Sequence, residues 1–244
     1  MLVNKLKKVK YLAYMLGTGV KGVKCNYLLK YKGEEAAREY VKVAARDWSK
    51  FTLDIIGITL EVEGVENIPE GPCVFIGNHT SILDIPLIFH TVDRNIGFIA
   101  KKELEKTPII GYWIKKTGSI FIDRENPRNA IKSINDGVKN IKRGYSMTIF
   151  PEGTRSKNGE VGEFKKGSLK LATKSKVPIV PVSIERASRA FEDTKEFVPT
   201  HIRIVYGEPI ETKNLSKEEE AALTERVRDV VIKNLPMEKV TVNN

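Results

Sequence analysis

The chain alternates short apolar runs with stretches of helical period, and that alternation limits the folds open to it. Runs at 58–62, 73–76, 97–100, 119–122, 146–150, 178–184 and 202–205 are too short for buried helices and read as strands. Between and after them lie helical patterns. One spans 127–143, with Pro127 in the first turn, Ile131, Ile134, Val138 and Ile141 on one face, and Gly144 as the stop. Another, at about 217–234, opens on acids and aligns Ala222, Leu223, Val227, Val230 and Val231. Strand–helix alternation predicts an α/β fold, a mixed sheet flanked by helices.

The first 57 residues follow a different rule. Leu2, Leu6, Val9, Leu12, Leu16, Val20 and Val23 recur at spacings of three and four and lie along one helical face. Lys7, Lys10 and Lys21 fall opposite, and Tyr11, Tyr14 and Tyr27 add rings suited to a membrane interface. A second helix over 34–56 places Ala37, Val41, Ala44, Trp48, Phe51 and Ile55 on one side. Residues 1–57 are therefore expected to form an amphipathic two-helix hairpin that anchors a domain of residues 58–244. The uncharged stretch 11–20 is about half of what a bilayer span needs, so the hairpin should lie in the membrane plane. An ordinary surface helix is the alternative. Gly17, Gly19 and Gly22 match a dinucleotide-binding glycine pattern, but no strand precedes them, and they read as loosening the helix.

Charge supports a polyanionic partner for this end. Residues 1–32 hold eight lysines and no acid, and residues 1–50 account for +8 of the formal +10. An anionic membrane surface suits an apolar stripe; nucleic acid does not, and no nucleic-acid module is present. Three histidines and two distant cysteines, Cys25 and Cys73, offer neither zinc-ligand spacing nor a structural disulfide, so neither a metal site nor a bound cofactor is expected.

Reactive residues gather where strands end. After the run at 73–76 comes Asn78-His79-Thr80-Ser81, then an apolar helical run containing Asp84. Thr80 or Ser81 suits the helix N-cap, and Ser81-x-x-Asp84 approximates a capping box. An aspartate behind a histidine fixes one ring nitrogen and leaves the other as a base. No serine elbow or comparable cysteine accompanies it, so the base is expected to act on a substrate hydroxyl. The strand at 119–122 delivers Asp123 and Arg124, a guanidinium suited to phosphate; a plain surface ion pair is the alternative. The strand at 146–150 delivers Pro151-Glu152-Gly153-Thr154-Arg155-Ser156, an anion-binding turn or simply a solvated one. The run 177–183, with two prolines, reads as an edge strand or pocket wall. His90 suits a C-terminal helix cap.

In this order the blocks N-H-x-x-x-x-D (78–84), G-x-x-F-I-D-R (118–124), F-P-E-G-T-R-S (150–156) and V-P-I-V-P-V (177–182) resemble the glycerolipid acyltransferase family, nearest its bacterial branch that acylates lysophosphatidate. The resemblance covers roughly residues 58–210. It implies transfer of a fatty acyl group from acyl-CoA or acyl carrier protein to the sn-2 hydroxyl of lysophosphatidate, giving phosphatidic acid. It makes His79 the base, Asp84 its partner, Arg124 a ligand of the acceptor phosphate, and Glu152, Gly153, Thr154 and Arg155 ligands of the acceptor's polar part, with Lys101 on the basic rim. It places the protein on the cytoplasmic face of the inner membrane, monotopic through residues 1–57. Other acceptors (glycerol-3-phosphate or another lysophospholipid) and a non-catalytic lipid-binding role remain open at this point. A donor for the thioester oxyanion is also required; amides near Gly153 or in the His79 turn are the candidates.

Overall fold

Val74, Phe75 and Ile76 are wholly buried, yet successive strand side chains face opposite ways, so this strand needs a layer on each side. The computed structural model, which describes residues 2–123 and 127–236, supplies both. Its strands are β1 (Ile58–Glu63), β2 (Val74–Gly77), β3 (Ile96–Lys101), β4 (Ile120–Ile122), β5 (Ser146–Ile149), β6 (Ile179–Ile184) and β7 (Thr200–Tyr206). They form one mixed sheet in the order β1-β7-β6-β2-β5-β3-β4. Only the β6–β7 pair is antiparallel among them.

One face carries Phe75, Val180, Val182, Ile184, Ile202 and Ile204 against α2 (Gly33–Ile56) and α3 (Asp84–Thr91). The other carries Val74, Ile76, Met147, Ile149 and Ile179 against α5 (Pro127–Lys142), α6 (Lys170–Ser175) and α7 (Lys217–Lys233). Full burial of each of these aliphatic side chains contributes about 1.5–3 kcal/mol. Two helices were not legible in the sequence: α6, and α4 (Ile110–Lys116), which starts from Ile109 at a φ of 64°.

Three expectations change. The helix behind the histidine starts at Asp84, because the amides of residues 80–83 go to side-chain acceptors. The proline-bearing β6 lies inside the sheet rather than at its edge. Pro181 still offers its carbonyl to Gly207 N (2.8 Å), and pairing with β7 begins one residue later at Val182. His90 sits in the last turn of α3 with Nδ1 buried and unpartnered among the described residues. Desolvation there pushes its pKa down, which opposes a charged cap.

The N-terminal hairpin pairs α1 (Leu2–Tyr31) with α2. The glycine pattern lies within the continuous helix α1, where Gly22 admits the ring of Tyr112, whose hydroxyl donates to Gly22 O (2.8 Å). Thr18, Gly22 and Cys25 face the protein. Leu2, Leu6, Val9, Leu12, Leu16, Val20 and Val23 face away, 60–82% exposed.

Candidate active site

The parallel strands β6, β2, β5, β3 and β4 end at the same edge of the sheet, and the blocks at 78–84 and 150–156 are in direct contact there. At Gly77 the chain must leave β2 while still touching β6. A Cβ there would lie 2.4 Å from Val182 O. Asn78 then takes over the ladder with its side chain: Nδ2 donates to Ile184 O (2.8 Å), and Oδ1 accepts from Ile184 N (2.9 Å). The backbone is released to turn, and the turn presents His79.

His79 Nδ1 lies 2.7 Å from Asp84 Oδ2. A carboxylate only accepts, so Nδ1 is the donor, and the neutral ring is held in the tautomer whose lone pair is on Nε2. Asp84 is fully buried; the same Oδ2 also accepts from Thr80 N (2.8 Å) and Ser81 N (3.0 Å), while Oδ1 is buried without a hydrogen-bond partner among the described residues. Half of the expected capping box is thus present, while Ser81 Oγ accepts from Leu83 N instead (2.9 Å). The imidazole stacks on Phe150, with centroids 4.2 Å apart and planes 7° from parallel. Aspartate and phenylalanine together fix the ring, which is 18% exposed.

The third block holds the same turn. Glu152 Oε1 accepts from His79 N (2.7 Å), its Oε2 accepts from Gly162 N (3.1 Å), and Ser156 N donates to His79 O (2.7 Å). Both Glu152 oxygens therefore serve backbone amides, and the carboxylate positions His79. Burial pushes the Glu152 carboxyl above its ordinary range, against the two amides that favour its charged form. Gly153 has a φ of 76°, the left-handed region that suits glycine. Thr154 is exposed, and Arg155 is half-exposed with Nη1 2.9 Å from Glu192 Oε1.

Glu192 was invisible to sequence reasoning, since it lies outside every block. Its Oε2 accepts from Ser81 Oγ (2.6 Å), and its Oε1 accepts from Ile82 N (2.7 Å). The five amides 79–83 are therefore all engaged by side-chain acceptors. None is free for a substrate oxyanion, so of the two candidate donors the turn is removed.

Lys101 ends β3, exposed and 3.2 Å from Glu103 Oε1. It lies two strands, roughly 10 Å, from β2. Asp123 follows β4 and accepts from Lys102 Nζ (3.1 Å). Arg124 lies outside the described residues. Beside the third block is an open depression of about 640 Å³ lined by Thr154, Lys157, Asn158, Glu160 and Lys165 among others.

A buried aspartate orienting a histidine, with cations along the same edge, is the equipment of hydroxyl activation near an anion. Similarity to known proteins runs the same way. Residues 59–185 match the family model described as Acyltransferase. The 1-acyl-sn-glycerol-3-phosphate acyltransferase of Saccharomyces cerevisiae is 31% identical over 94% of this chain and 77% of its own length. That of Borreliella burgdorferi is 34% identical over 78% of this chain and 77% of its own length. The crystal structure of the 1-acyl-sn-glycerophosphate (LPA) acyltransferase PlsC from Thermotoga maritima matches with a TM-score of 0.78 at 31% identity, covering 95% of this chain and 92% of that one. With two of the blocks in contact at one sheet edge, and on these similarities, the chain belongs to the acyltransferase family.

Proposed function

We propose that this protein transfers a fatty acyl group from an acyl thioester, acyl-CoA or acyl carrier protein, to the sn-2 hydroxyl of 1-acylglycerol-3-phosphate, forming phosphatidic acid. The observation that carries this reading is the His79–Asp84 pair at 2.7 Å with Nε2 left basic. Nε2 takes the hydroxyl proton as the oxygen attacks the thioester carbonyl. Asp84 stabilises the imidazolium that results. Collapse of the tetrahedral adduct expels the thiolate, which receives that proton from His79. Arg124, Arg155 and Lys101 are the cations we assign to the acceptor phosphate, with Gly153 and Thr154 beside its glycerol. Glu152 acts on the acceptor through the His79 turn. His79→Ala is expected to lower kcat by ~10²–10⁴ with the fold intact. Turnover at the wild-type rate in that variant refutes the assignment. Lysophosphatidate and glycerol-3-phosphate offered separately, with each donor, test the substrates.

We also assign residues 1–57 to the membrane surface, on the cytoplasmic leaflet of the inner membrane. The exposed stripe on α1 supports this reading, as does the cluster of lysines at the same end. No described helix is long and apolar enough to cross a bilayer. An in-plane helix fits those properties.

A further inference from the structure

The segment between β6 and β7 belongs to none of the blocks, yet it touches two of them through one side chain. Glu192 is largely buried, with its side chain 15% exposed. It receives the Ser81 hydroxyl on Oε2, and the Ile82 amide and the Arg155 guanidinium on Oε1. Asp84 holds the turn from within, through Thr80 N and Ser81 N. Glu192 holds the next residue from outside. The backbone carrying the histidine is thus clamped between two carboxylates.

The segment is itself secured. Asn4 of α1 exchanges two hydrogen bonds with Phe197, both 3.0 Å, and Lys8 pairs with Glu196 (3.0 Å). Asp193, next to Glu192, pairs with Arg186 (3.0 Å). Glu192 therefore stands on a fixed base while Arg155, on a solvent-facing loop, has a long and flexible side chain. A guanidinium with one N–H fixed offers its remaining N–H groups in a set direction.

We propose that Glu192 is a positioning residue for the acyl transfer, fixing the His79 turn through Ser81 and Ile82 and aiming Arg155 at the acceptor phosphate. The Arg155 part rests on the acceptor reading given above. Two substitutions separate the roles. Glu192→Ala removes every contact. Glu192→Gln keeps a carbonyl for Ile82 N but holds Arg155 only through a neutral hydrogen bond, roughly half as strong as a charge-assisted one.

The test is steady-state kinetics of the full chain on vesicles containing lysophosphatidate, using whichever thioester donor the wild type accepts, with melting temperatures measured alongside. Glu192→Ala is expected to lower kcat about 10-fold or more and to raise KM for lysophosphatidate about 5-fold. Glu192→Gln should recover most of kcat while KM stays raised. In an Arg155→Ala background Glu192→Gln should leave KM where Arg155→Ala puts it. Equal loss of kcat and no change of KM in both variants overturns the proposal, as does a Gln effect on KM that persists without Arg155. If Arg155→Ala alone leaves KM unchanged, the acceptor reading of Arg155 fails instead. The kcat ratio of Gln to Ala then still decides whether Glu192 fixes the turn.

Discussion

A carboxylate that receives two backbone amides cannot be exchanged for its own amide without loss. In Glu152→Gln, only one of His79 N and Gly162 N keeps a carbonyl acceptor and the other faces an NH₂ group; Gly162 is exposed to water, so a penalty of about 1–3 kcal/mol arises only where the half-buried His79 N loses its partner. We expect kcat to fall about 10-fold while the fold persists; steady-state rates and melting curves check this. The raised pKa of Glu152 adds a pH signature. Its folded value exceeds its unfolded value, so the stability it contributes is present at low pH and lost as pH rises through the folded value. Only the ionised form accepts from both amides, so activity should rise through that same interval. Opposite slopes of stability and kcat between the ordinary carboxylate value and the raised folded one, absent in Glu152→Gln, are the expected outcome. At this scale the sequence disclosed His79 and Asp84, because their offset is short and a turn brings them together. The clamp by Glu192 was hidden, because Ser81 and Ile82 lie 111 and 110 residues away and Arg155 lies 37, and no pattern marks them.

Elements were legible wherever burial on one or two faces imposes a period. β2 and β6 are buried on both sides and read as continuous apolar runs. α4 escaped because seven residues make too short a pattern and because its entry runs through Ile109 in a backbone region that β-branched residues rarely adopt. Close approach at the end of β2 gives a sharp prediction. Gly77→Ala places a Cβ against Val182 O and must part β2 from β6 next to the catalytic turn. We expect a loss of 1–3 kcal/mol or more, seen as a lower midpoint in urea, with activity falling further than stability. Ser216→Ala is the control. It opens the capping box with Glu219 at α7 and should cost about 1 kcal/mol with kcat unchanged, since α7 lies on the face remote from α3.

For the molecule as a whole, periodicity located the apolar stripe of α1, whereas only the structure reveals its direction. The hairpin sets small residues, Thr18, Gly22 and Cys25, against the protein and turns the large aliphatics out. Contiguous exposed apolar surface of this kind marks an interaction site. Leu12→Glu with Leu16→Glu should release the protein from anionic vesicles in flotation assays without lowering its melting temperature. Retained binding contradicts the membrane assignment. Removing residues 1–57 is a poorer test, because Leu53, Ile55 and Ile56 of α2 belong to the core beneath the sheet. The turn at 79–83 is likewise a property of the assembled chain. It precedes α3 and follows β2, so neither ladder protects it. Its amides are nevertheless held by Glu152, Asp84, Glu192 and Ser81. In deuterium exchange these five positions should therefore be slow for a loop, and they should open together. Their common rate would then clock how often the catalytic turn comes apart.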